Sequence, residues 1–217
     1  MIPLRDDILH RRPPIINYLL IAANVVVFFL QLKAGDRMDH FAAVPAAISH
    51  GHELYTVFTS MFMHGGAFHI LSNMWFLYIF GDNVEDAFGH IGYLAVYLIS
   101  GICGAFLQVF MSPSSSVPMV GASGAISGVL GAYMALYPRA RILTLIPIFF
   151  FIRLYNIPAV IFLGFWILIQ LLSGFYGPRT GGGVAFFAHI GGFAFGLALA
   201  LMARLVRRRR RPQYSIY

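Results

Sequence analysis

The chain has 217 residues, of which 59% are hydrophobic and only 11% charged. A soluble domain carries about a quarter charged residues, so this composition excludes an ordinary water-soluble globule and points to a chain solvated mostly by lipid. The net charge of +7 would suit nucleic acid in amount, but the basic residues sit where a membrane protein needs them, so no nucleic-acid partner is expected.

Residues 1–14 are polar and lack the small-residue cleavage site of a signal peptide. They are expected to form a cytoplasmic N-terminal segment ahead of a first helix that is retained. Apolar runs near spanning length follow at 15–32, 67–81, 91–111, 121–137, 158–175 and 184–206, each read as a transmembrane helix. Residues 15–206 then form one all-α membrane domain, a bundle of six transmembrane helices. The remainder, 207–217, is a basic cytoplasmic tail. Two segments are not expected to cross. Residues 35–66 make a long outer connection, and 142–152 are eleven apolar residues interrupted by Pro147, which suits an interfacial or re-entrant element. The Ser- and Pro-rich stretch 112–118 reads as an exposed turn. Cys103 is the single cysteine, so no disulfide forms within the chain and the thiol reads as a packing residue.

Orientation follows from the basic residues. With the N-terminus inside, Arg5, Arg11, Arg12, Arg139, Arg141, Arg153, Arg204 and Arg207 to Arg211 all lie inside. That is twelve of the fifteen basic residues, leaving only Lys33, Arg37 and Arg179 outside. The positive-inside rule therefore expects both termini in the cytoplasm. Small size and the absence of extra domains suggest a bacterial inner membrane.

Polar side chains inside spans are functional candidates because the lipid penalises them. Three clusters stand out. HGGAFHILSN places His69 and Asn73 four residues apart on one helix face. GASGAISG places Ser123 between Gly121 and Gly124 at the start of a short span. AHIGGFAFG places His189 about five residues into the last span, or about 7 Å along its axis. The second, fourth and sixth spans run in the same direction, so all three clusters fall at similar depth in the outer half of the bilayer. Gly124 with Gly128, and Gly192 with Gly196, form small-xxx-small faces that let helix backbones approach. Ser123 can then reach His189.

A serine hydroxyl is a weak nucleophile until a base takes its proton, and an imidazole titrates near neutral pH. Peptide hydrolysis further needs donors for the tetrahedral oxyanion, each worth roughly 3–4 kcal/mol. His69, the Asn73 amide and the backbone at Ala122 and Ser123 are candidates. No membrane-buried carboxylate is available to orient His189, so a dyad is expected. His50, His52, His64 and His69 could be read as a zinc site, but no HExxH is present, and neither metal nor cofactor is expected.

HGGAFHILSNMWFLYIFGDNVEDAFG, GASGAISGVLGAY and AHIGGFAFG, in this order, resemble the rhomboid family of intramembrane serine proteases across nearly the whole chain. The resemblance implies a six-helix core that cleaves transmembrane protein substrates in or near the bilayer. It implies Ser123 of GxSG as nucleophile and His189 of HxxGxxxG as base. His69 and Asn73 of HxxxN, with the backbone of Ala122 and Ser123, match the oxyanion groups, and Glu85 and Gly89 match structural positions. Two departures stand out. Tyr55 and Thr56 replace a Trp-Arg pair common in the first loop, and Ser127 stands where some members pack an aromatic ring on the histidine. That leaves the orientation of His189 unexplained. The fifth span and the Gly-rich loop 177–183 are expected to gate lateral entry of substrate. Two competing readings are a catalytically inactive relative that binds membrane segments and a small transporter.

Overall fold

The computed structural model describes residues 1–9, 11–148, 151–177 and 184–209. In chain order it contains β1 (Ile2–Asp6), α1 (Ile15–Ala34), a 3-10 turn (Gly35–Phe41), α2 (Pro45–Ser49), α3 (Thr56–Thr59), a second 3-10 turn (Ser60–Phe62), α4 (Ala67–Met111), α5 (Ser123–Leu136), β2 (Arg141–Ile148), β3 (Phe151–Pro158), α6 (Ala159–Tyr176) and α7 (Phe186–Arg209). The protein is mostly helical and embeds in a membrane by several passes. Among the described residues four helices are long and apolar enough to cross, within Ile15–Phe41, Ala67–Met111, Ala159–Tyr176 and Phe186–Val206, and Ser123–Leu136 is a shorter apolar helix.

The expected second and third spans are joined in α4. Its 45 residues run without interruption except at Gly89, whose φ of 73° and ψ of 168° are not helical. At 1.5 Å per residue each limb is about 33 Å long, enough for the hydrocarbon core. A straight helix would separate Gly81 from Tyr93 by about 18 Å. Instead a Cβ on Gly81 would touch the Tyr93 hydroxyl, so the chain doubles back at Gly89. Only a residue tolerant of positive φ makes this reversal without strain.

Glu85, just before the bend, accepts hydrogen bonds from the backbone N–H groups of Ile16 (2.9 Å) and Asn17 (2.8 Å). These belong to the first turn of α1, whose N–H groups have no partner along the helix. A carboxylate there also meets the positive end of the helix dipole. Glu85 thereby pins the start of α1 to the bend of α4, and it is 2% exposed.

The all-α expectation needs correction at two places. Of residues 142–152, read as an interfacial or re-entrant element, 142–148 and 151–152 lie in the antiparallel strands β2 and β3, paired from Arg141 with Pro158 to Ile148 with Phe151. The N-terminal segment adds β1 to β2, with Ile2 opposite Leu145 and Asp6 opposite Ile142, and an irregularity between Pro3 and Arg5. The stretches RILTLIPI and FIRLYNIP are rich in β-branched and aromatic residues, which favour strands. Ile142 and Thr144, two apart, are both fully buried, as one face of a strand requires. The Trp75 indole donates to the Pro3 carbonyl (2.7 Å), and Tyr133 donates to the Asp6 carboxylate (2.5 Å). The sheet is thus fastened to both α4 and α5.

Of the segment 35–66, only short helices and turns form. Ile48 and Val57 pack with Ala43 on Ala105 and Val109 of the second limb of α4. The main core gathers Leu77, Phe80, Tyr93 and Tyr97 of α4, Leu130 and Tyr133 of α5 and Leu163 of α6. The Phe80 and Tyr133 rings meet edge to face with centroids 5.0 Å apart, a favoured aromatic geometry. Of the expected basic tail, residues 210–217 lie outside the described residues. So do residues 178–183 of the expected gating loop.

Candidate active site

Ser123 is the first residue of α5, following Ala122, so it stands among N–H groups that have no acceptor along their own helix. The preceding Gly121 has a φ of 127°, a conformation that side-chain-bearing residues rarely adopt. Its N–H donates to the Ser60 carbonyl (2.9 Å), which ties the turn to the loop before α4.

His189 lies in the first turn of α7, and its Nε2 is 2.8 Å from the Ser123 hydroxyl. Close packing of α5 on α7 makes that distance possible. A Cβ on Gly192 would collide with the Gly124 carbonyl oxygen, and one on Gly196 with that of Gly128. The four glycines singled out as small-xxx-small faces are therefore among the positions at which the two backbones touch, and Gly131, where an added Cβ would meet the Phe193 carbonyl oxygen, is another.

The other ring nitrogen of His189, Nδ1, is 2.8 Å from Oε1 of Gln170 on α6. Gln170 Nε2 is directed at the Trp166 carbonyl (3.5 Å), one turn earlier, which leaves Oε1 facing the imidazole. The Trp166 ring lies beside that of His189, with centroids 5.8 Å apart and planes inclined by 34°. Both His189 and Gln170 are 8% exposed. The aromatic neighbour missing at Ser127 thus comes from a different helix. Ser127 itself donates its hydroxyl hydrogen to the Ser123 carbonyl (2.6 Å). Neither Gln170 nor Trp166 belongs to the three clusters that stand out in the sequence. The polarity of Gln170 in an apolar run was the one available signal.

His69 and Asn73 lie one turn apart on the first limb of α4. A Cβ on Gly121 would fall 2.8 Å from His69 Nε2 and 3.6 Å from Asn73 Nδ2, so both side chains stand against the turn that leads into Ser123. The Gly65 N–H donates to His69 Nδ1 (3.3 Å). With Nδ1 accepting, the neutral ring carries its proton on Nε2, which makes Nε2 a donor. Asn73 Nδ2 is buried and has no hydrogen-bond partner among the described residues. The rings of His64 and His69 meet edge to face at 5.2 Å. A cavity of about 410 Å³ opens nearby between α1 and the loop before α4, lined by Phe28, Gln31, His64, Gly65, Gly66 and Val120 among others. Neither Ser123 nor His189 lines it.

Fold and site together define a multi-pass helical membrane protein that holds a serine hydroxyl and an imidazole in hydrogen-bond contact inside its bundle. The chain belongs to the rhomboid family, whose Rhomboid domain matches residues 51–205. It is similar to RHOMBOID-like protein 1 of Arabidopsis thaliana, 33% identical over 170 residues that make up 78% of this chain and 38% of that protein. It is also similar to Rhomboid protease GluP of Bacillus subtilis (strain 168), 34% identical over 137 residues, which are 60% of this chain and 26% of that one. A further relative is Inactive RHOMBOID-like protein 8 of Arabidopsis thaliana, 27% identical over 103 residues, 47% of this chain and 29% of the relative. The chain spans less than half the length of each of these relatives.

Proposed function

We propose that this chain is an intramembrane serine endopeptidase that cleaves transmembrane protein substrates in or near the outer half of the bilayer. The observation that carries the reading is the 2.8 Å contact between Ser123 Oγ and His189 Nε2. At that distance the imidazole can take the hydroxyl proton as Oγ attacks the scissile carbonyl. The carbonyl becomes a tetrahedral oxyanion. His189 then gives the proton to the leaving amine, and the C–N bond breaks. Water, deprotonated by the same imidazole, hydrolyses the resulting ester and restores Ser123.

The oxyanion falls to His69 Nε2–H, the Asn73 amide and the N–H groups at the start of α5. Buried donors rarely lack an acceptor, and an unpaired Asn73 amide suits a site that an arriving oxyanion satisfies. The topology proposed is six crossings, two of them limbs of α4 and one the short α5, with both termini in the cytoplasm. That orientation puts Ser123 toward the outer face. The reading also fits a family relative named as a protease.

The test is cleavage of a generic single-span substrate by purified protein in detergent, with labelling by a serine-directed fluorophosphonate. Wild type should cleave and be labelled. Ser123→Ala and His189→Ala should each lose at least about a thousandfold in rate. Wild type that binds the substrate without cutting or labelling would instead be a non-cleaving relative. Ion flux in liposomes that survives Ser123→Ala would favour a transporter.

A further inference from the structure

We infer that Gln170 is the positioning residue of the dyad: its side-chain carbonyl holds His189 in the Nδ1–H tautomer, with Nε2 turned to Ser123. The inference rests on the proposed reading of Ser123 and His189 as nucleophile and base. Its geometric basis is the chain Ser123 Oγ, His189 Nε2, His189 Nδ1 and Gln170 Oε1, with both contacts at 2.8 Å.

A neutral imidazole carries one proton on either nitrogen, and the partner of one nitrogen decides the role of the other. An amide oxygen can only accept. Facing Nδ1, it requires the proton there, and Nε2 is left with the lone pair that must receive the Ser123 proton. The reverse tautomer would set the Nδ1 lone pair against the Gln170 oxygen and give Nε2 a hydrogen it cannot use as a base. When Ser123 attacks, its proton moves to Nε2, and the cation so formed keeps Nδ1–H directed at the amide dipole. That proton returns to the leaving amine, and Gln170 neither gains nor loses one.

The choice of a neutral group follows from the surroundings. Gln170 lies on α6, a helix without a charged residue over Ala159–Tyr176, and it is itself buried. An ionised carboxylate at that place would have to be desolvated. An amide supplies the acceptor without a buried charge. Gln170 is held in turn by its Nε2 contact with the Trp166 carbonyl, and the Trp166 ring covers the imidazole from the side, against Phe193. A glutamine placed merely to satisfy packing would need neither the contact with Nδ1 nor its complement at Nε2.

The experiment uses full-length protein in detergent and two readouts. The first is nitrogen NMR of histidine-labelled protein, with the His189 signals assigned by difference from His189→Ala. The second is the pH profile of kcat/KM for the single-span substrate. Wild type should show His189 protonated on Nδ1. Gln170→Leu should mix the tautomers and lower kcat about tenfold with KM unchanged. Gln170→Glu, above the pH at which it ionises, offers an acceptor oxygen again, so it should restore the Nδ1–H tautomer and move the acid limb of the profile to higher pH. An unaltered tautomer in Gln170→Leu would overturn the assignment. The NMR readout needs no turnover. Wild type that shows the tautomer but never cleaves would therefore defeat the protease reading and leave the orienting role of Gln170 decided.

Discussion

At Gly121 a side chain is excluded twice, by a φ of 127° and by the His69 ring, whose Nε2 would lie 2.8 Å from an added Cβ. Gly121→Ala should therefore displace the imidazole or twist the turn into Ser123. Misplacing a reacting group by about 1 Å can lower turnover about a hundredfold, and a side chain forced into a positive-φ position also costs stability. The expected result is a fall in kcat of that order together with a lower Tm in detergent, measured side by side. His64, in the loop just before α4, reports on the same region through pH. Burial, and then the neighbouring His69 ring, push its pKa down from 6.5 to about 4, and neither ring nitrogen has a partner among the described residues. The folded value is below the unfolded one, so the unfolded loop binds more protons between them. Stability is complete above pH 6.5 and is lost as pH falls toward 4. The full loss is about 3 kcal/mol. Thermal unfolding between pH 7 and pH 4 should show this slope, and His64→Gln should flatten it.

Among the elements, α1 depends on a side chain from elsewhere. It has no side-chain cap of its own, and Glu85 supplies acceptors for two of its leading N–H groups. Glu85→Ala should leave those donors buried and unpaired, at a cost of about 1–3 kcal/mol each. Lower Tm in detergent and faster proteolysis ahead of α1 would show it. An unchanged Tm would mean that α1 is held by packing alone. The helices were legible because their apolar runs are long and free of charge. The reversal at Gly89 was less so, since a hydropathy pattern marks where a span ends but not that two limbs share one bend. The hairpin of β2 and β3 was missed for a physical reason. A short apolar run is compatible with a strand or an interfacial helix, and here pairing with β1, over a hundred residues away in the chain, decides the outcome. A contact between two different helices likewise hid Gln170. Helical spacing links residues on one helix, as with His69 and Asn73, but nothing local links α6 to α7.

For the whole molecule, the arrangement that brings His69, Ser123 and His189 together follows from three helices running the same way with their polar groups near the starting ends. That coincidence was readable from span order and the placement of basic residues. The same argument makes a prediction about direction. In the proposed topology twelve of the fifteen basic residues fall on the side of the N-terminus and the hairpin, and loops rich in Lys and Arg stay in the cytoplasm. The hairpin and the loop before α4 should then lie on opposite sides of the membrane, with Ser123 nearer the loop. Both loops expose polar positions, His52 in one and Asn156 in the other. In a Cys103→Ser background, His52→Cys should react with a membrane-impermeant maleimide on intact cells. Asn156→Cys should react only after permeabilisation. The opposite pattern would place the dyad near the cytoplasmic face, and substrates would then be cut in the inner half of the bilayer. Labelling of both sites on intact cells would mean that the chain inserts in two orientations.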